Sequence, residues 1–219
     1  MFAPLAALLS FAAIPLPATA QAATDATAGS VDAGWILDRL ARPAPMRTPF
    51  VEVRDSPMLK TPLRIEGLYV RPDDDTLVRE VRAPYAETTT IRAGEASIAR
   101  DGRAPRRFSL SRAPELAGLQ ASFGAMLSGD RAALEQAYRI ETRGTRQRWA
   151  MTLVPKDARL ANRLRGIVLH GRGAELRCIE TRPDKGDVQR TLLAGAARAA
   201  KAGMDAEALV ALCRQDMPG

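Results

Sequence analysis

The chain has 219 residues, of which 32 are basic and 25 acidic, for a net charge of +7, and it contains a single histidine. Only Lys60, Lys156, Lys185 and Lys201 are lysines, so 28 of the 32 basic residues are arginine. They are scattered and aromatics are sparse, which argues against a nucleic-acid binder; the arginine skew fits GC-rich coding bias, and equally a surface attracted to anionic lipid headgroups or acidic partners.

Residues 1–24 carry no charged side chain. An apolar run from Phe2 to Ile14 is broken by Pro15 and Pro17, and Ala18-Thr19-Ala20 and Ala20-Gln21-Ala22 fit the small-x-small cleavage rule. The run is short of the ~20 residues that span a bilayer. The expectation is a cleaved signal peptide at 1–22 and a periplasmic protein, soluble after export. With no cysteine near the cleavage site, the mature protein is not expected to be a lipoprotein. Residues 23–48 read as a tail and a short helix carrying Trp35, Ile36, Leu37 and Leu40, followed by a stiff connector with Pro43, Pro45 and Pro49. Residues 49–219 read as one domain.

From there the pattern is extended. Strands are expected at 50–55, 62–71, 76–83, 86–93, 95–100 and 106–111, separated by Ser56-Pro57, the acidic triplet Asp73-Asp74-Asp75, Ala83-Pro84, Ala93-Gly94 and Asp101-Gly102. Asp-Gly is a strong hairpin signal. Residues 112–128 predict a helix, because Leu116, Leu119, Phe123, Met126 and Leu127 recur at three- and four-residue steps. Asp130 caps a second, shorter one. Strands return at 137–143, 147–154, 165–171, 174–182 and 187–194, with a short helix at 157–163 and a last helix at 205–214. In the second of these strands Trp149, Met151 and Leu153 share one face. The order predicts an α+β fold: an open, incomplete antiparallel β-barrel of about 11 strands wrapped around a helical lid.

Catalytic and metal chemistry find little to stand on. Any triad must use His170 at a strand end, and neither a Gly-x-Ser-x-Gly elbow nor an HExxH motif occurs. His170 reads as a surface residue. The carboxylates lie in turns or are scattered, and no catalytic residue, metal site or cofactor is expected. Cys178 and Cys213 form an even pair, read first as a disulfide in an oxidising compartment and otherwise as two buried thiols. A bridge would close a loop of about 35 residues, contribute roughly 3–4 kcal/mol and pin the last helix to a strand.

The stretch from Phe50 to Pro72 carries a family resemblance. Phe50-Val51-Glu52-Val53-Arg54 and Gly67-Leu68-Tyr69-Val70-Arg71-Pro72 resemble the opening strands of LolA-type carriers, which move lipoproteins or other acylated cargo across the periplasm. Leu77 to Pro84 and Trp149 to Pro155 resemble later strands of that family. The acidic triplet stands where lipoprotein carriers commonly have aromatics, so the resemblance is to a divergent branch. It implies a non-enzymatic carrier whose apolar cavity would be lined by Phe50, Leu63, Ile65, Leu77, Leu119, Phe123, Met126, Trp149, Met151 and Leu153. Arg71 would be a lid contact. The implied partners are an acylated lipoprotein or other acyl lipid, an inner-membrane releasing transporter and an outer-membrane acceptor, with no nucleic acid. The competing reading is a non-catalytic interaction or scaffold protein of the same fold with a filled interior.

Overall fold

The computed structural model describes residues 31–54, 63–110 and 124–214. The predicted turn between the strands at 50–55 and 62–71 and most of the predicted helix at 112–128, including Leu119 and Phe123, lie outside the described residues. Eleven antiparallel strands form one open sheet: β1 Met46–Arg54, β2 Leu63–Arg71, β3 Thr76–Ala83, β4 Glu87–Arg92, β5 Glu95–Arg100, β6 Arg103–Ser109, β7 Tyr138–Gly144, β8 Trp149–Pro155, β9 Leu164–Arg172, β10 Glu175–Pro183 and β11 Gln189–Leu193. Their spatial order is β6-β5-β4-β3-β2-β1-β11-β10-β9-β8-β7. The last strand therefore pairs with the first. The consecutive strands β6 and β7 stand at opposite edges. Of the chain between them, residues 124–128 are helical and place Ala125 and Met126 in the core on one face of the sheet.

The helices with described ends are α1 Ala33–Leu40, α2 Arg131–Ala137, α3 Ala158–Ala161, α4 Ala194–Ala199 and α5 Ala206–Arg214. Aspartates start four of them. The side chains of Asp32, Asp130, Asp157 and Asp205 accept hydrogen bonds from the amides of Trp35, Ala133, Leu160 and Ala208 at 2.8–3.0 Å. Each satisfies an amide that the first helical turn leaves unpaired. Helix α4 has no side-chain cap and was not anticipated in the sequence.

The turns follow their residues. Ala93-Gly94 and Asp101-Gly102 connect Arg92 to Glu95 and Arg100 to Arg103 as two-residue hairpins, and Gly94 and Gly102 take positive φ. Strand β1 begins earlier than expected and takes in Pro49, which pairs with Leu68 of β2. Pairing with β11 starts only at Phe50, so the missing amide of Pro49 interrupts no ladder on that side.

Alternation divides the sheet into two faces. The inner face carries Phe50, Ile65, Trp149, Met151, Leu153 and Leu169, packed with Ile36, Leu37 and Leu40 of α1 and Leu134 of α2. The outer face carries Val51, Val53, Cys178 and Leu192 beneath α4 and α5. Two aromatic rings lie over directly paired glycines of neighbouring strands, Phe50 over Gly67 and Trp149 over Gly171. A Cβ at Gly171 would stand 1.9 Å from the Trp149 ring. The glycine of the Gly-x-x-x-Arg-Pro stretch thus provides the bed for Phe50.

Candidate functional site: an apolar cavity under the crossing segment

Among the described residues, α1 and the segment 124–128 leave part of the inner face uncovered. Between them lies a cavity of about 420 Å³, walled by Leu40, Met46, Tyr69, Leu77, Met126, Leu176 and Leu193. Leu77 and Met126 were anticipated. Phe50, Ile65, Trp149, Met151 and Leu153 are buried in the adjoining core and Leu63 packs against it. That half of the inner face is filled by α1, whose Ile36 and Leu37 are 0% exposed.

Of the remaining wall residues, Met46 and Tyr69 lie on β1 and β2, which carry the expected Phe50, Leu63 and Ile65, whereas Leu40, Leu176 and Leu193 lie on α1, β10 and β11, from which no wall residue was expected. Tyr69 was within reach of the sequence reading, since Leu63, Ile65, Gly67 and Tyr69 alternate onto one face of β2. Leu176 and Leu193 had no such signal, because only the β1–β11 and β9–β10 pairings bring them to the same end of the sheet.

Beside the cavity, Tyr69 belongs to a polar cluster embedded in the inner face. Its ring packs on Phe50 with centroids 4.7 Å apart, and the Arg79 guanidinium lies 4.9 Å from the Phe50 ring centroid. Arg79 donates to buried Glu52 at 2.7 Å, and Arg54 pairs with the same carboxylate. Burial pushes the Tyr69 hydroxyl pKa above its ordinary value, with Arg79 opposing. The phenol therefore stays neutral.

Arg71 is 6% exposed. It donates to the Arg42 carbonyl at 2.7 Å and to Asp74 at 2.6 Å. Arg42 in turn donates its amide to the Leu127 carbonyl at 3.1 Å. Arg71 thus reaches the crossing segment through the backbone that leaves α1. The acidic triplet also finds its place here: Asp74 pairs with Arg71, and Asp73 accepts from the Asp75 amide at 3.0 Å and shapes the turn.

The outer face holds the other polar cluster. Cys178 and Cys213 are disulfide-bonded, with Cα atoms 5.0 Å apart. Next to them Glu180, 0% exposed, accepts from Arg182 at 3.2 Å, Arg190 at 3.1 Å and Arg214 at 3.2 Å. His170 Nε2 stands 3.7 Å from Glu180, within ion-pair range but long for a hydrogen bond, and its side chain is 14% exposed. That corrects its reading as a surface residue: the β9–β10 pairing sets it opposite Cys178. Burial favours the neutral acid, but His170 and the arginines outweigh it and hold the Glu180 carboxyl far below the usual carboxylate range. His170, Glu180 and Cys213 lie close enough to suggest metal ligands, but the Cys213 sulfur is committed to the disulfide. None of these groups lines the cavity, which opens on the other face.

An open antiparallel sheet folded around a helix and an apolar cavity defines a binding scaffold. The chain belongs to the family described as outer membrane lipoprotein carrier protein LolA-like, whose match spans residues 25–216. Among solved structures, it is similar to the LolA superfamily protein NE2245 from Nitrosomonas europaea, with 11% identity, TM-score 0.40, and 75% of this chain and 92% of that one covered. It is also similar to LprF from Mycobacterium bovis, with 14% identity, TM-score 0.32, and coverages of 77% and 94%. A comparison with curated proteins gives no match. Among the described residues, no helix is long and apolar enough to cross a membrane.

Proposed function

We propose that this protein is a non-enzymatic periplasmic carrier, exported with loss of residues 1–22, that buries the acyl part of a lipoprotein or other lipid and ferries it toward the outer membrane. An inner-membrane transporter would release the cargo to it and an outer-membrane acceptor would receive it. The observation that carries this reading is the apolar cavity of about 420 Å³ beneath the crossing segment. Each methylene removed from water is worth about 0.8 kcal/mol, so an acyl chain crosses an aqueous compartment only inside such a space. Leu77 and Met126 line that space, Phe50, Leu63, Ile65, Trp149, Met151 and Leu153 support its inner wall, and Leu119 and Phe123 would extend it. Methionine suits a wall that must fit chains of differing shape. Arg71 holds the lid by fixing the Arg42 carbonyl.

Purified protein is expected to bind an uncharged, polarity-sensitive fluorophore and release it to acyl lipids, and mass spectrometry of the purified protein should identify the lipid it carries. The competing reading, an interaction or scaffold protein, draws support from the half of the inner face that α1 fills. Failure to bind any acyl compound would favour it.

A further inference from the structure

Resting on the carrier reading, we infer that the cavity takes an amphiphile with an anionic head, a carboxylate or a phosphate.

Charge sets the head. Arg42 and Arg172 both line the cavity and both are exposed, so they mark its open end. The Arg42 guanidinium is held by backbone carbonyls alone: Arg39 at 2.9 Å, Ala41 at 3.1 Å and Ala174 at 3.3 Å. Carbonyls fix its position without neutralising its charge, and a guanidinium with five N–H groups keeps donors free. Arg172 makes no ion pair with any described residue. The acid at this mouth is already committed. Glu175 accepts from the Gly195 amide at 3.1 Å and from Arg177 at 3.0 Å, and it packs so closely there that a Cβ at Gly195 would stand 2.5 Å from its oxygen. The mouth therefore presents the Arg42 guanidinium, held by carbonyls, beside an apolar hole, with Arg172 exposed among the lining residues, and guanidinium matches carboxylate and phosphate oxygens best. Neither an uncharged head nor a bare anion uses both features.

The test uses the full chain loaded with the uncharged fluorophore N-phenylnaphthylamine. Laurate, dodecyl phosphate and dodecyl maltoside compete for it, with inorganic phosphate as a fourth arm. Laurate or dodecyl phosphate is expected to displace the fluorophore at about tenfold lower concentration than dodecyl maltoside, with the better of the two naming the head. Inorganic phosphate is expected to leave the fluorophore bound. In Arg172→Glu, an exposed position, the anionic advantage is expected to vanish while dodecyl maltoside competes as before. Equal competition by all three amphiphiles, an anionic advantage that survives Arg172→Glu, or displacement by phosphate alone would overturn the anionic head and leave the carrier reading standing. No displacement by any amphiphile would overturn both.

Discussion

The two faces of the sheet use the same strands to opposite ends. On the outer face, small residues Ala196, Ala197 and Ala200 let α4 lie close, α5 adds Leu209 and Leu212, and a disulfide joins helix to strand. A buried carboxylate is surrounded by three arginines. Among the described residues, the inner face is not sealed. Helix α1 fills one part, and beside it Met126 and Leu127 help to line a cavity. The difference teaches that stability and space are separated by face: the covalent link and the densest charge network stand where nothing needs to enter.

That separation can be broken experimentally. The largest effect is expected from Glu180→Gln, which leaves three guanidinium groups without their acid and should cost about 3–5 kcal/mol. Chemical denaturation would read this, and fluorophore binding by the folded fraction should not change. The same residue carries an acid dependence. Its folded pKa is depressed, so its contribution is fully present above the unfolded value of about 4.3 and is lost as the pH falls through the folded value. Glu180→Gln should flatten the loss of stability below that pH; an unaltered acid profile would contradict the assignment.

Replacing both Cys178 and Cys213 with serine should lower stability by about 3–4 kcal/mol, again without weakening binding. Non-reducing mass spectrometry should detect the bonded pair in the parent. Arg71→Met removes charge-assisted hydrogen bonds on the inner side and should cost about 1.5–3 kcal/mol. Unlike the outer-face changes, it should also speed release of the bound fluorophore in stopped flow. Leu77→Trp places an indole at the cavity wall. It should weaken binding about tenfold, which is about 1.4 kcal/mol, and move the melting temperature less than any of the others. If Leu77→Trp proved the most destabilising and left binding intact, the inner face would be a filled core and the contrast between the faces would fail.

Several parts of the site were legible beforehand. Leu77 lies on an alternating strand, and Met126 on a helical stripe with Leu119 and Phe123. The aspartate caps and the Asp101-Gly102 turn announce themselves because their physics is local. Arg42, by contrast, reads in the sequence as the residue before a helix-ending proline. Its importance comes from a carbonyl given to Arg71, an amide given to Leu127 and a guanidinium resting on Ala174. Those partners are 29, 85 and 132 residues away. Helix α4 was missed because an alanine-rich run with no capping side chain has no amphipathic stripe to display; its close packing on the outer face takes the place of that signal.

By itself, the sequence determined the strand and turn sequence, the two alternating faces of each strand, the capped helices and the resemblance carried by Phe50 to Pro72. These depend on interactions within a few residues, or on periodicities that a single element expresses alone. Tertiary structure decided what covers each face. Periodicity marks Ile65 and Val51 as inward-facing on opposite sides, yet it is silent on whether a helix, a cavity or a disulfide meets them. That choice follows from β1 pairing with β11 and from β6 and β7 standing at opposite edges, pairings between segments far apart in the chain whose register no local pattern records.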